Sequence, residues 1–312
     1  MATVADHQGS VRRAATAALS IVIPTRDRVD TLQRTLDALE GQRDLDGDLQ
    51  IVVVDDGSRD GTAEILRSRP YGRHALQVIR QEPAGPAAAR NRGIRQCTSD
   101  RVLLLGDDTI PQPQCVAAHL EAAAGRDVAV QGMIDWDPEV GITPLMEFMA
   151  PEGPQFYFKG LDEGDPVDWT RMAGSNLSAP RAWFETEPFD EGFRTACFED
   201  TEMAYRWSRH SWNGVFSRRA CCLHRHRYDE PDRLMARQRW AGVQARAVVQ
   251  RHPRLIWRLS VGVAIGGFLV ALRAAPRWTT GRATPEDRWD AGWRLEYLLG
   301  LCSTFVNRRS DS

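Results

Sequence analysis

Residues 103–111 read LLLGDDTIP: an apolar run ends on two adjacent carboxylates, Asp107 and Asp108, before a turn-forming proline. Aspartate is a common turn residue, and every strand has to end somewhere. Two neighbouring negative charges at the end of a buried strand also suit a positive partner, and a divalent metal with the diphosphate it holds has that chemistry. The pattern recurs along the first half of the chain. Asp55 and Asp56 close IVVVDDGS, and Thr25 and Arg28 follow SIVIP, whose last residue is Pro24. Further on, Glu199 and Asp200 open the helical stretch EDTEMAYRW. Acidic residues in a first helical turn stabilise it by about 0.3–1 kcal/mol through the helix dipole, so pattern alone leaves this pair open between structure and chemistry.

The elements that would position these residues alternate regularly. LSIVIP precedes the helical VDTLQRTLDALEGQ, in which Leu32, Leu36 and Leu39 share a face. LQIVVVDDGS precedes GTAEILRSR, LQVIRQ precedes AGPAAARNRGIRQC, RVLLLGDD precedes PQCVAAHLEAAAG, and VAVQGMIDW follows. Short strand runs alternating with helices predict an α/β fold, with a mainly parallel central sheet and flanking helices. In such open sheets ligands bind beyond the carboxyl ends of the strands, which is where the polar residues cluster. Past residue 140 the pattern changes. PEGPQFYFKGLDEGDPVDW is loop-rich and aromatic, as pocket-shaping segments are. MAGSNLSAP, the apolar GVFSRRACCLHRHR and an Arg-rich helix, EPDRLMARQRWAGVQARAVVQRH, come later.

Absences narrow the chemistry. No GxGxxG follows the first strand, which weakens a dinucleotide site, and no GxxxxGKS or GxxxxGKT marks a Walker-type triphosphatase. The net charge of −2 over 312 residues supplies no field for nucleic acid, so none is expected as a partner. Lys159 is the sole lysine, a bias towards arginine that fits a GC-rich bacterial genome more than a function. The six cysteines form no CxxC pair, which excludes a zinc knuckle or redox motif and fits a reduced, cytoplasmic setting. MATVADHQGSVRRAATA has no long apolar core and reads as a loose tail rather than a secretory signal.

SIVIPTRDR, VVVDDGSRDGT, GPAAARNRGI, LLLGDDTIP, AGSNLSAPRAWF, FDEGF, FEDTEMAYRW and CLHRHR together, in this order, resemble the inverting family-two glycosyltransferases of GT-A fold. The resemblance covers roughly residues 19–247. It implies that Pro24, Thr25, Arg28, Asp55 and Asp56 serve the nucleotide, with Asp56 reading a pyrimidine edge, and that Arg90 holds the nucleotide or its phosphates. It implies a metal site in GDD, with Asp108 the principal ligand, Asp107 at ribose or metal, and His224 a further ligand, His226 being the alternative. Members commonly read Asp-Asp-Asp where this chain has Gly106-Asp107-Asp108. Gly174, Ser175 and Asn176 would line the transferred sugar, and Asp200 matches the catalytic base, with Glu199 beside it as the second candidate.

That inventory implies Mn2+ or Mg2+ as cofactor, a nucleotide-diphosphate sugar as donor and a hydroxyl acceptor, lipid-linked or a secondary metabolite. An alcohol is too weak an acid to react without a general base, and a single in-line displacement inverts the anomeric carbon. A nucleotidyltransferase that makes nucleotide sugars, or a non-catalytic scaffold, are the competing readings; IPTRDR is a poor substitute for the glycine-rich loop of the former. The expected layout is a tail over 1–18, a catalytic domain over 19–250 divided near 136 into nucleotide and acceptor halves, and a helical appendage over 251–312. In the appendage the uncharged run Leu259 to Leu272, between Arg258 and Arg273 and flanked by Trp257 and Trp278, is shorter than the roughly 20 residues of a spanning helix. It suits a segment lying on the inner face of the membrane, or a helical hairpin packed on the domain or across a homodimer.

Overall fold

The structure is a computed structural model that describes residues 17–69, 72–261, 277 and 279–303. Its first half is built as the alternation predicts. Strands β1 (Leu19–Thr25), β2 (Leu49–Asp55), β3 (Ala75–Arg80) and β4 (Arg101–Leu105) are linked by α1 (Val29–Glu40), α2 (Thr62–Ser68) and α3 (Pro86–Ile94). All four strands run parallel in the order β3-β2-β1-β4. Their side chains alternate between two cores. Ile21, Ile23, Ile51, Val53, Leu103 and Leu105 meet Leu32, Leu36 and Leu39 of α1 on one face. Val22, Val52, Val54, Val102 and Leu104 meet Ala87, Ala89 and Ile94 of α3 on the other. Burying one such aliphatic side chain stabilises by about 1.5–3 kcal/mol, and a strand buried on both faces therefore reads as a continuous apolar run.

The second half extends the same sheet with mixed direction. It comprises β5 (Thr109–Pro111), α4 (Cys115–Ala123), β6 (Ala129–Trp136), α5 (Pro144–Met149), β7 (Pro166–Val167), β8 (Asn176–Pro180), α6 (Arg181–Thr186), α7 (Glu199–Arg209) and β9 (Gly214–His224). Beyond β4 the order is β8-β6-β9-β5, with β7 also on β9. β8 is antiparallel to β4 and β6, while β9 is parallel to β6. The carboxyl end of β9 therefore points the same way as those of β1, β2 and β4, and all of them open on one rim.

Helix α8 (Pro231–Arg251) lies along α9 (Pro285–Cys302), which a reciprocal Thr284–Asp287 capping box starts. The two backbones touch: a Cβ at Gly242 would stand 1.9 Å from the Tyr297 carbonyl oxygen, and one at Gly300 1.8 Å from that of Arg239. The Tyr297 hydroxyl donates to the Leu259 carbonyl at 2.9 Å. The rest of the apolar run from Leu259 to Leu272, with Arg273 and Trp278, lies outside the residues whose side chains are described, as does the tail up to residue 16. Among the described residues no helix is long and apolar enough to cross a membrane.

Candidate active site

The turn after β4 gathers the first cluster. Thr25 Oγ1, at the end of β1, donates to Asp107 Oδ2 at 2.8 Å, and Thr35 of α1 donates to the Asp107 carbonyl at 3.0 Å. Arg28 reaches in from the rim, 3.4 Å from Asp107 Oδ1 and in a shorter ion pair with Asp108 Oδ2. The residue pairing of β5 with β9 sets Thr109 opposite His224, and His224 Nε2 lies 3.4 Å from Asp108 Oδ2. The apolar run thus drives into two negative charges that a guanidinium and an imidazole face.

These partners divide the carboxylates. Burial raises the proton affinity of Asp107, and the charge of Asp108 raises it further. Burial acts on Asp108 in the same direction, but His224 and Arg28 outweigh it and hold Asp108 below the usual carboxylate range. His224 is stacked on Trp136 at 5.4 Å and meets the edge of Phe156 at 5.7 Å. Its Nδ1 is buried with no hydrogen-bond partner. His226, stacked beside His224 at 6.0 Å, is pushed down to about 4 by burial and by that neighbour. At Gly106 a Cβ would come within 2.4 Å of Thr109 Oγ1, so the buried threonine fills the space a side chain there would need.

Asp55 and Asp56, at the end of β2, are both hydrogen-bonded to neighbouring loops. Asp55 accepts from the Ser58 backbone N–H at 2.8 Å and from Arg80 Nη1 at 2.8 Å. Asp56 Oδ1 accepts from Gln81 Nε2 and the Ala84 N–H, each at 2.8 Å, and its Oδ2 from the Gly85 N–H at 2.9 Å. The Asp56 carboxylate braces the loop that launches α3, while that of Asp55 ties the turn after β2 to the end of β3. Pro24 is a half-buried member of β1, opposite Val54.

The second cluster forms at the start of α7. Asp200 Oδ2 accepts from the Gly174 N–H at 2.9 Å and Oδ1 from the Thr201 N–H at 2.8 Å. Desolvation, then the charge of Glu199, pushes Asp200 up to about 6. Glu199 is buried and fully engaged: Oε1 takes Arg90 Nη1 at 2.6 Å and Oε2 the Cys197 N–H at 2.7 Å. Of the two adjacent acids, Asp200 is the half-buried one. Phe198, just before them, sits at φ 66°, a left-handed conformation that costs a non-glycine residue about 1–3 kcal/mol.

One loop joins the clusters. The Gly106 N–H donates to the Ser175 carbonyl at 3.1 Å, and the next residue back, Gly174, donates to Asp200. Asn176 is fully buried in β8, where its amide donates to the Met133 and Ala220 carbonyls and its Oδ1 meets His119 Nε2 at 2.8 Å. It knits strands together and has no exposed surface to offer a sugar. Arg90 lies buried against Glu199, with its guanidinium 5.3 Å from the Phe189 ring centroid. Sequence reasoning missed the aromatic collar of Trp136, Phe156 and Tyr228 around the histidines, of which only Phe156 lies in the aromatic 151–169 stretch that gave a signal.

Parallel strands with an acidic turn after the fourth, continued by antiparallel strands beside it, make this a GT-A fold. PcManGT, a mannosyltransferase from Pyrobaculum calidifontis solved with GDP-Man and Mn2+, matches 92% of this chain and 88% of its own, with TM-score 0.63 and 17% identity. GalNAc-T7, solved with UDP, GalNAc and Mn2+, matches 70% of this chain and 45% of its own, with TM-score 0.52 and 17% identity. The sequence pattern of Glycosyl transferase family 2 matches residues 20–189, and the chain belongs to that family. Validoxylamine A glucosyltransferase of Streptomyces hygroscopicus subsp. jinggangensis (strain 5008) is 33% identical over 218 residues, 62% of this chain and 51% of that protein. Chondroitin synthase of Escherichia coli is 29% identical over 222 residues, 61% of this chain and 32% of that one. The chain therefore spans about half the length of the first of these relatives and a third of the second.

Proposed function

We propose that the protein transfers a sugar from a nucleoside-diphosphate sugar to an acceptor hydroxyl, inverting the anomeric carbon in one displacement. The observation that carries this is the placement of Gly174 and Ser175 between two acidic centres: Ser175 is tied to the Asp107–Asp108 turn, and Gly174 to Asp200. A sugar resting over that loop has its leaving group on the Asp108 side and a base on the other. In-line attack requires that arrangement. Asp200 takes the proton from the acceptor hydroxyl, and its raised proton affinity suits a base working near neutral pH. Glu199, clamped on both oxygens, is unsuited to that task.

On the other side, Asp108 and His224 would hold a divalent cation. A carboxylate oxygen suits Mn2+ or Mg2+, and the imidazole beside it adds a donor better matched to Mn2+. Among the described residues no third His, Cys, Asp or Glu completes a cage, so diphosphate oxygens and water would fill the remaining positions. When bound, the metal neutralises the charge that grows on the departing diphosphate. Thr25 and Arg28, beside the Asp107–Asp108 turn, would serve the diphosphate and ribose, and Asp56 would serve the nucleotide through the 84–85 loop it holds. What PcManGT and GalNAc-T7 bind, GDP-Man or UDP with Mn2+, supports a nucleotide donor and a metal here. Family membership favours sugar transfer over the making of nucleotide sugars. The test is a donor panel of UDP-, GDP- and dTDP-sugars with Mn2+, followed by acceptors that include validoxylamine A. Release of nucleoside diphosphate from none of them sinks the reading.

A further element of this proposal is peripheral attachment at the cytoplasmic face of the membrane. Trp257 is 69% exposed and Ile256 46%, with Arg254 and Arg258 beside them. Indole, an aliphatic chain and the Arg254 guanidinium suit an anionic interface, while Arg258 is paired with Asp168 at 2.7 Å. The full chain should sediment with anionic vesicles and be released by high salt; a concentration-dependent dimer that ignores vesicles would assign the surface to a second copy.

A further inference from the structure

We propose that Arg90 is a positioning residue that acts on Asp200 through Glu199, and that it does not hold the nucleotide. The proposal rests on Asp200 being the base. Arg90 rises from α3 and is 6% exposed, too little to lie along a solvated diphosphate. Its Nη1 is spent on Glu199, and its guanidinium carbon is 3.4 Å from where a Cβ on Gly174 would stand, with the Asp200 Cβ 3.5 Å from the same point. Arg90, Glu199, Gly174 and Asp200 therefore form one packed knot, and Arg90 is the only member that reaches it from the nucleotide half.

Helix α3 is fixed to the segment that carries the base at two further points. The Asn91 side chain both donates to the Phe189 carbonyl (2.9 Å) and accepts from the Phe189 N–H (3.0 Å). At Gly85, φ 94°, a Cβ would stand 2.2 Å from the Arg194 carbonyl, so only glycine fits both the turn and the contact. The start of α3 hangs on Asp56. A rigid strut thus runs from the nucleotide end of β2 to the first turn of α7, where Phe198 is held in its left-handed conformation.

Charge gives the strut its chemical effect. Asp200 is faced by Glu199 on its own helix, by Arg90 from α3, by the Gly174 and Thr201 N–H groups, and by the Cys197 thiol, which burial keeps protonated. Glu199 favours the protonated form of Asp200 and Arg90 the ionised form. Neutralising either alone must move the titration of Asp200 in opposite directions, a signature that mere loss of packing does not produce.

The test uses Arg90→Gln, Glu199→Gln and the double variant, all in the full chain. The Asp200 midpoint is read by carbon-13 NMR of γ-labelled aspartate, assigned by its disappearance in Asp200→Asn. We expect it to rise by about one pH unit in Arg90→Gln and to fall by a similar amount in Glu199→Gln. The double variant should return near the parent, and it guards against misfolding of Arg90→Gln alone, which leaves a buried charge unpaired. UDP and GDP affinities with Mn2+, by calorimetry, should stay within about threefold, while kcat for donor cleavage falls and KM holds. A tenfold loss of nucleotide affinity in Arg90→Gln, or midpoints that stay put or move together, overturns the proposal. If the parent protein binds no nucleotide, the functional reading fails, while the midpoints still decide whether Arg90 and Glu199 govern Asp200.

Discussion

Replacing Asp200 with asparagine separates chemistry from folding more cleanly than any other change in this chain. Asparagine keeps the shape, and its Oδ1 still accepts from the Gly174 N–H. Its amide group then faces the Thr201 N–H, so about one hydrogen bond is lost, at roughly 0.5–1.5 kcal/mol. Relief of the repulsion from Glu199 offsets part of that. The melting temperature should therefore drop by only a few degrees, at about 2–4 °C per kcal/mol for a domain of this size. Loss of a general base costs about 10²–10⁴ in rate, or roughly 3–5 kcal/mol of barrier, which dwarfs the folding term. Release of nucleoside diphosphate from the best donor, followed against pH, is the assay. A carboxyl group whose midpoint is pushed up to about 6 must be ionised to work. The parent rate should therefore fall about tenfold per pH unit below 6 and level off above 7, whereas the asparagine variant should be low and flat. A variant that keeps more than a tenth of the parent rate, or the same acidic limb, refutes Asp200 as the base.

Asp108→Asn should weaken Mn2+-dependent nucleotide binding by tenfold or more and Asp107→Asn by much less, since Asp107 is already pushed towards its neutral form; equal, metal-independent binding by both in calorimetry would exclude the metal site. Asp56→Ala strips acceptors from Gln81, Ala84 and Gly85, so unfolding in urea should show a loss of about 2–4 kcal/mol, and an unchanged midpoint would mean the loop holds itself. Gly242→Val forces the α8 and α9 backbones apart; hydrogen exchange in α9 should accelerate, with a cost of about 1–3 kcal/mol, and unaltered protection would contradict the close contact.

Periodicity made the parallel half readable, because strands buried on both faces announce themselves as runs such as IVVV, and Leu32, Leu36 and Leu39 all lie in the core as their spacing requires. Strand β8 was not readable as one. Its Asn176 and Ser178 are polar and yet fully buried, satisfied by His119 and by carbonyls of other strands, and hydropathy has no sign for a polar side chain with distant partners. The motifs pointed to Asp107, Asp108 and His224 as one group, and of these Asp108 and His224 approach to 3.4 Å. What the motifs could not convey is how each acid is employed. Asp56 is bound by Gln81, Ala84 and Gly85 from the next strand and loop, and Glu199 differs from Asp200 because of an arginine 109 residues away.

The β4–β5 turn has a consequence for how the molecule is made. Three residues carry the chain from the middle of the sheet to its far edge, where β5 can pair with nothing but β9. A ribosome delivering the chain from its N-terminus can finish the four parallel strands early, since each finds its neighbour among residues already synthesised. Asp108 meets His224 only when β9 emerges. On the proposed function, metal-dependent donor binding would be withheld from every partly made chain and would switch on late, after Gly174 and Asp200 have emerged. Nascent chains stalled after α7 should carry the protected parallel sheet, yet capture no nucleotide through metal.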